Sequence, residues 1–169
     1  MRIILFRHGP AGERDPARWP DDGDRPLSAR GVDRTHEAAR GLAKLEPGVR
    51  HIVTSPLRRA AMTAEILAEV FDEASTEHLD ALAPGGSYRG VIEFVRGLPE
   101  ENAVALVGHE PDLGKLAGIL AFGAPAALPL KKAGACAFEF EGPPTAGTGR
   151  LLWLLTPRIL RRMAQKVHA

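Results

Sequence analysis

The chain has 169 residues, 44% hydrophobic and 25% charged, a balance that suits one folded domain and excludes a disordered chain. Its 22 lysines and arginines against 21 aspartates and glutamates leave a net charge of +1, which excludes a general attraction to nucleic acid or an anionic membrane. A single cysteine, Cys136, excludes an intrachain disulfide and a cysteine-rich metal site, and its neighbours Ala135, Ala137 and Phe138 predict a small buried strand residue.

Residues 3–6 form a short apolar run that predicts a buried strand of a parallel sheet. It runs without a spacer into Arg7, His8 and Gly9. Residues 10–26 are rich in proline and aspartate and read as a long loop, one that can line a site or form a lid. Ser28 caps a predicted helix to about Leu45 with Ala38, Ala39, Leu42 and Leu45 as its apolar stripe, and Glu46-Pro-Gly ends it. A second strand over residues 51–54 leads into Ser55 as expected N-cap, Pro56 as first helical residue, and a helix to about Phe71.

Residues 76–82 predict an extended segment, and residues 87–96 an amphipathic helix with Val91, Phe94 and Val95 turned inward. The clearest strand covers residues 103–107 and exits into Gly108-His109-Glu110-Pro111. A helix over residues 112–120 and two closing strands, 135–140 and 150–155, complete the pattern. Arg150, Arg158, Arg161, Arg162 and Lys166 cluster near the end and read as a solvated basic helix face. The expected architecture is a three-layer α/β/α sandwich with a mainly parallel sheet, antiparallel only through its last strands. One domain over residues 1–157 is expected, with 158–169 as a basic C-terminal helix or tail. The start of the chain lacks a secretory signal pattern and no apolar run is long enough to cross a bilayer, so cytoplasmic residence without a membrane partner is the expectation.

Three predicted strand ends carry cationic or imidazole groups: Arg7 and His8, then Arg58 and Arg59, then His109. Parallel strands place such ends along one edge, where ligands of open α/β sheets collect. Arginines that clamp phosphoryl oxygens, beside helix N-termini and an imidazole able to attack phosphorus, make a phosphoryl-transfer site. The six histidines show no paired-ligand spacing such as HxH or HExxH, so no metal site is expected. There is no Gly-x-Ser-x-Gly elbow, Walker A loop or dinucleotide glycine pattern, and no cofactor is expected.

Four segments in order resemble the histidine phosphatase superfamily, whose fold is that of the phosphoglycerate mutases, and within it the small phosphohistidine phosphatases of the SixA type. They are Arg7-His8-Gly9 with Ala11, Arg25-Pro26-Leu27-Ser28 with Gly31, Thr54-Ser55-Pro56-Leu57-Arg58-Arg59-Ala60 with Thr63, and Val107-Gly108-His109-Glu110-Pro111. The resemblance implies that His8 is the nucleophile and that Arg7, Arg59 and His109 complete the catalytic phosphate pocket. It aligns Arg59 with the family arginine and leaves Arg58 at the surface or rim.

The pattern departs from many relatives at Ala81, where a glutamate often protonates the leaving oxygen. Asp80 is the nearest candidate acid, with Glu13 and Glu110 further off. An alkyl phosphate needs such an acid, whereas phosphohistidine leaves as an imidazole that protonates readily. The chain also has little room for insertions over the pocket. These features point to a metal-independent phosphatase acting through phospho-His8 on a phosphorylated protein, a phosphohistidine domain. The alternatives are a phosphomonoesterase or mutase for small phosphorylated metabolites in the same pocket, and a phosphate-binding module without turnover. A monomer is expected.

Overall fold

The structure, a computed structural model, describes residues 1–72, 74–99 and 103–165. Six strands form one sheet: β1 (Arg2–Arg7), β2 (Val49–Thr54), β3 (Ser75–His78), β4 (Ala103–Gly108), β5 (Ala135–Glu139) and β6 (Arg150–Leu155). Their order across the sheet is β3-β2-β4-β1-β5-β6. β1, β2, β3 and β4 pair in parallel, while β5 and β6 add an antiparallel edge beyond β1. This is the expected α/β/α sandwich with a mainly parallel sheet.

The period of two along β1 assigns its side chains to the two faces. Ile4 and Phe6 join a core under α1 (Ala29–Leu45), α2 (Arg58–Val70) and α5 (Pro157–Ala164). Ile3 and Leu5 join a second core under α3 (Tyr88–Arg96) and α4 (Asp112–Phe122). Covered on both faces, β1 and β4 read as unbroken apolar runs rather than alternating ones. Cys136 lies fully buried opposite Leu5, and burial pushes its thiol up to about 12.

Ser28 caps α1 as predicted, its hydroxyl accepting from Gly31 N at 3.0 Å. The expected cap of α2 differs: the helix begins at Arg58 after Leu57, with no side-chain cap, and Ser55 and Pro56 lie before it. The Ser55 hydroxyl instead accepts from Leu57 N at 3.3 Å, closing a turn ahead of the helix, and also meets His109. The extended segment after β2 is also shorter than predicted. β3 stops at His78, and a 3-10 turn at Asp80–Leu82 closes through Ala83 N donating to Asp80 O at 2.9 Å.

The basic terminal helix α5 packs on α1. Leu160 is fully buried, Lys44 Nζ donates to Ala164 O at 2.9 Å, and Arg161 faces Glu37 at 3.4 Å. Lys166 and His168 lie outside the described residues. The contact needs Gly41: a Cβ there would stand 1.8 Å from the Leu160 carbonyl oxygen. Helix propensity alone favours alanine by about 1 kcal/mol. Gly41→Ala is nonetheless expected to destabilise the protein by roughly 1–3 kcal/mol, as overpacked cores do. Equilibrium denaturation of the variant checks this; a gain in stability would show that the α1–α5 contact is not tight. Among the described residues, no helix is long and apolar enough to cross a membrane.

Candidate active site

β1, β4 and β2 lie side by side with Arg7 opposite Gly108 and Thr54 opposite Val107, so their C-terminal ends are level. The residues that follow are tied down by the backbone: His8 N donates to Gly108 O at 3.1 Å, and Ser55 N to Val107 O at 3.0 Å. His8, Arg59 and His109 thereby converge, 6%, 6% and 4% exposed in a molecule whose other charged side chains mostly face water. The rings of His8 and His109 are 5.0 Å apart between centroids.

Each ring is oriented by one hydrogen bond. His8 Nδ1 lies 2.7 Å from Gly9 O, and a carbonyl only accepts, so Nδ1 carries the proton and Nε2 keeps its lone pair. Gly9 N in turn donates to Thr63 Oγ1 at 3.0 Å, and a Cβ on Gly9 would fall 2.0 Å from Thr35 Oγ1 of α1. Ser55 Oγ accepts from Leu57 N at 3.3 Å and sits 2.8 Å from His109 Nε2. A hydroxyl can donate or accept there, so this bond fixes the orientation of the His109 ring.

Arg7 reaches Leu130 O with Nη1 at 2.8 Å, and Leu130 N donates to Glu110 Oε1 at 3.0 Å. Glu110 thus holds the segment that holds Arg7. Arg59, in the first turn of α2, donates from Nη1 to the backbone oxygen of Asp22 at 2.8 Å and faces its carboxylate at 3.4 Å. Arg58 points to solvent. Among the described residues, the buried side-chain polar atoms that lack a protein partner are Arg7 Nε and His109 Nδ1.

Burial pushes the His8 imidazole down to about 3, helped by His109, Arg59 and Arg7, against the bond to Gly9. Burial and Arg59 likewise push His109 to about 4, with Asp112 opposing. Both rings are neutral at physiological pH between two guanidinium groups. The pocket therefore offers a nucleophilic nitrogen, N–H donors and positive charge together, the chemistry of an oxyanion site.

The family model for the histidine phosphatase superfamily (branch 1) matches residues 3–91, a stretch that contains Arg7, His8 and Arg59. The chain belongs to the histidine phosphatase superfamily. This histidine phosphatase is 42% identical over 138 residues to an uncharacterized protein of Picosynechococcus sp., covering 79% of this chain and 82% of that one. It is 29% identical over 119 residues to the phosphohistidine phosphatase SixA of Escherichia coli K12, covering 69% and 71%. Its fold matches a structure of the protein histidine phosphatase SixA complexed with tungstate at a TM-score of 0.82 and 24% identity, over 95% of this chain and 99% of that one. These likenesses support a phosphatase of this family.

Of the residues singled out in the sequence of this phosphatase, Arg7, His8, Arg59 and His109 are brought to one sheet edge. Asp80 leaves the same end of the sheet after β3, exposed on the 3-10 turn rather than buried with them. Its neighbour Ala81, with Leu82, Tyr88 and Asp112, lines a narrow cavity shared with His109. Glu110 supports the Leu130 segment, and Glu13 is exposed. Three residues of the neighbourhood escape sequence reasoning: Ser55, Asp112 and Asp22. Asp112 accepts from Tyr88 OH at 3.1 Å and Gly85 N at 2.9 Å. Asp22 had a signal, since Asp21 followed by Asp22 and Gly23 is a turn sequence that fixes its neighbour, and Asp21 Oδ1 does accept from Gly23 N at 2.7 Å.

Proposed function

We propose that this phosphatase works through a phosphohistidine intermediate on His8 and dephosphorylates protein phosphohistidine. The observation that carries the reading is that His8, its Nδ1 bound to Gly9 O and its Nε2 left free, is buried beside Arg59 and His109 where the C-terminal ends of β1, β2 and β4 lie level.

The lone pair of His8 Nε2 attacks phosphorus in line with the bond that breaks, and that bond's electron pair leaves with the leaving group. Arg7 and Arg59, with the His109 imidazole beside them, stabilise the charge on the equatorial oxygens. Phospho-His8 keeps its proton on Nδ1, held by Gly9 O. Water then attacks phosphorus, its proton passes to the released phosphate, and His8 departs as neutral imidazole, so the second step needs no added acid.

The leaving group of the first step decides the substrate. A histidine of the substrate leaves as neutral imidazole once its other ring nitrogen takes a proton from solvent. An alkoxide needs a positioned acid. Ala81 has no acid to offer. Asp22, the carboxylate beside Arg59, is held below the usual carboxylate range by its bond to Arg25, which makes it a poor proton donor. These features favour the phosphorus–nitrogen bond.

The test compares kcat/KM for a phosphorylated histidine-containing protein domain with sugar, nucleotide and glycerate phosphates. At least about a tenfold preference for the phosphohistidine domain is expected, the low end of what differences in pocket contacts produce. Preference for a metabolite overturns the substrate assignment. Binding of inorganic phosphate without hydrolysis of any donor overturns the assignment as an enzyme.

A further inference from the structure

We infer that Glu110 is a positioning residue for the phosphoryl pocket: its carboxylate tethers the segment over residues 130–134, and that segment aims the Arg7 guanidinium. The inference rests on the reading of this pocket as a phosphoryl site and adds to it what sets one of its two arginines.

The segment grips the end of β1 at several points. Arg7 N donates to Gly134 O at 3.0 Å, and Ala133 N donates to Arg7 O and His8 O at 3.1 and 3.2 Å. These bonds fix where the strand ends. The side chain is fixed separately, by Arg7 Nη1 donating to Leu130 O at 2.8 Å. An arginine has many rotamers to lose, so a guanidinium without such an acceptor is spread over several positions.

The segment has a shape that its surroundings impose. Gly134 N closes a turn onto Lys131 O at 2.7 Å. Ala133, 1% exposed, has φ 58°, a left-handed conformation that a residue with a Cβ keeps only where its neighbours hold it. The start of the segment is held by Glu110, whose Oε1 accepts from Leu130 N at 3.0 Å. Leu130 thus takes Glu110 with its N–H and Arg7 with its carbonyl. Gly114 of α4 leaves room for the carboxylate: a Cβ there would stand 2.9 Å from Glu110 Oε2 and 3.2 Å from Leu128 O.

The oxygen of Glu110 and its charge are separable. Burial lowers the Arg7 guanidinium and the Glu110 charge opposes it, yet an arginine stays protonated without that help. The bond to Leu130 N is therefore the part of Glu110 that acts on Arg7.

The experiment is a double-mutant cycle of Glu110→Ala and Arg7→Ala, with Glu110→Gln beside it. It is read as the dissociation constant of inorganic phosphate and as kcat/KM for a phosphorylated histidine-containing protein domain. Glu110→Ala is expected to weaken phosphate binding and to lower kcat/KM roughly 10- to 100-fold, the scale of a catalytic group displaced by about 1 Å. In the Arg7→Ala background the same change is expected to cost less than about twofold, because the group that it positions is gone. Glu110→Gln still offers an oxygen to Leu130 N and is expected to keep most of the wild-type efficiency. Gly114→Ala, which crowds the carboxylate without removing it, is a second variant expected to act as Glu110→Ala does in both backgrounds. No loss in Glu110→Ala, or an equal loss with and without Arg7, means that Glu110 does not act through Arg7 and overturns the inference. A loss in Glu110→Gln as large as in Glu110→Ala makes charge the active part and overturns it too. If the wild-type chain binds phosphate but hydrolyses no donor, the phosphatase reading fails and the binding constants alone decide the role of Glu110. If it does neither, both readings fall.

Discussion

His8→Ala lowers phosphatase turnover by at least about a thousandfold while the chain still folds, the loss expected when the group that makes the covalent bond is removed. Incubated with a phosphoryl donor labelled on phosphorus and quenched, the wild-type chain is expected to carry an acid-labile, alkali-stable label, and His8→Ala none. The ring is prepared for this role before substrate arrives. Its Nδ1 proton is committed to Gly9 O, so only Nε2 can attack, and burial keeps the imidazole unprotonated. Retained turnover in His8→Ala, or an unlabelled wild type, would remove the covalent step from the mechanism.

Stability is expected to fall steeply on the acid side. In the unfolded chain a histidine takes up its proton near pH 6.5. In the folded protein His8 and His109 resist protonation down to about 3 and about 4. Between these limits the unfolded state binds more protons than the folded one, so unfolding becomes easier as pH falls. Their contribution is fully present above about pH 6.5 and is lost on the way down to the folded values. Each such histidine contributes a slope of about 1.4 kcal/mol per pH unit once its unfolded form is charged. His8→Asn removes one of the two. Its unfolding free energy, measured by denaturant titration between pH 6 and 4.5, is expected to depend less on pH than the wild type's by about that slope. Parallel curves for the two proteins would show that His8 is not desolvated in the native state.

Much of the fold is legible in sequence because its signals are short-ranged. The apolar run into Arg7, the Ser28 cap and the strand before His109 each follow from local pattern, and a parallel sheet then brings strand ends together without any loop being understood. Asp22 shows where this stops. It is one of five acids in a segment that reads as irregular, and its meeting with Arg59 depends on the 3-10 turn at Asp22–Asp24 folding back over α2. Ser55 shows a different limit. Ser-Pro is a sound helix-start signal, yet the hydroxyl bonds to an imidazole 54 residues away, and no local preference encodes that partner. The docking of α5 is hidden for a third reason: its signal is a missing side chain at Gly41, which in sequence reads only as a weakness of the helix.

Gly9 carries a consequence for how variation in this chain should be read. With Thr35 Oγ1 occupying the space where any side chain on residue 9 would begin, the backbone beside His8 is gauged by the surface of α1. Thr35 is itself fully buried and bonded to Gly31 O at 2.6 Å, so it cannot retreat. A larger residue at position 35 would displace the nucleophile without touching the pocket. A map of tolerated substitutions should therefore mark a stripe of α1 as sharply as it marks the pocket, and a change there would resemble a chemical lesion while being a matter of ruler length.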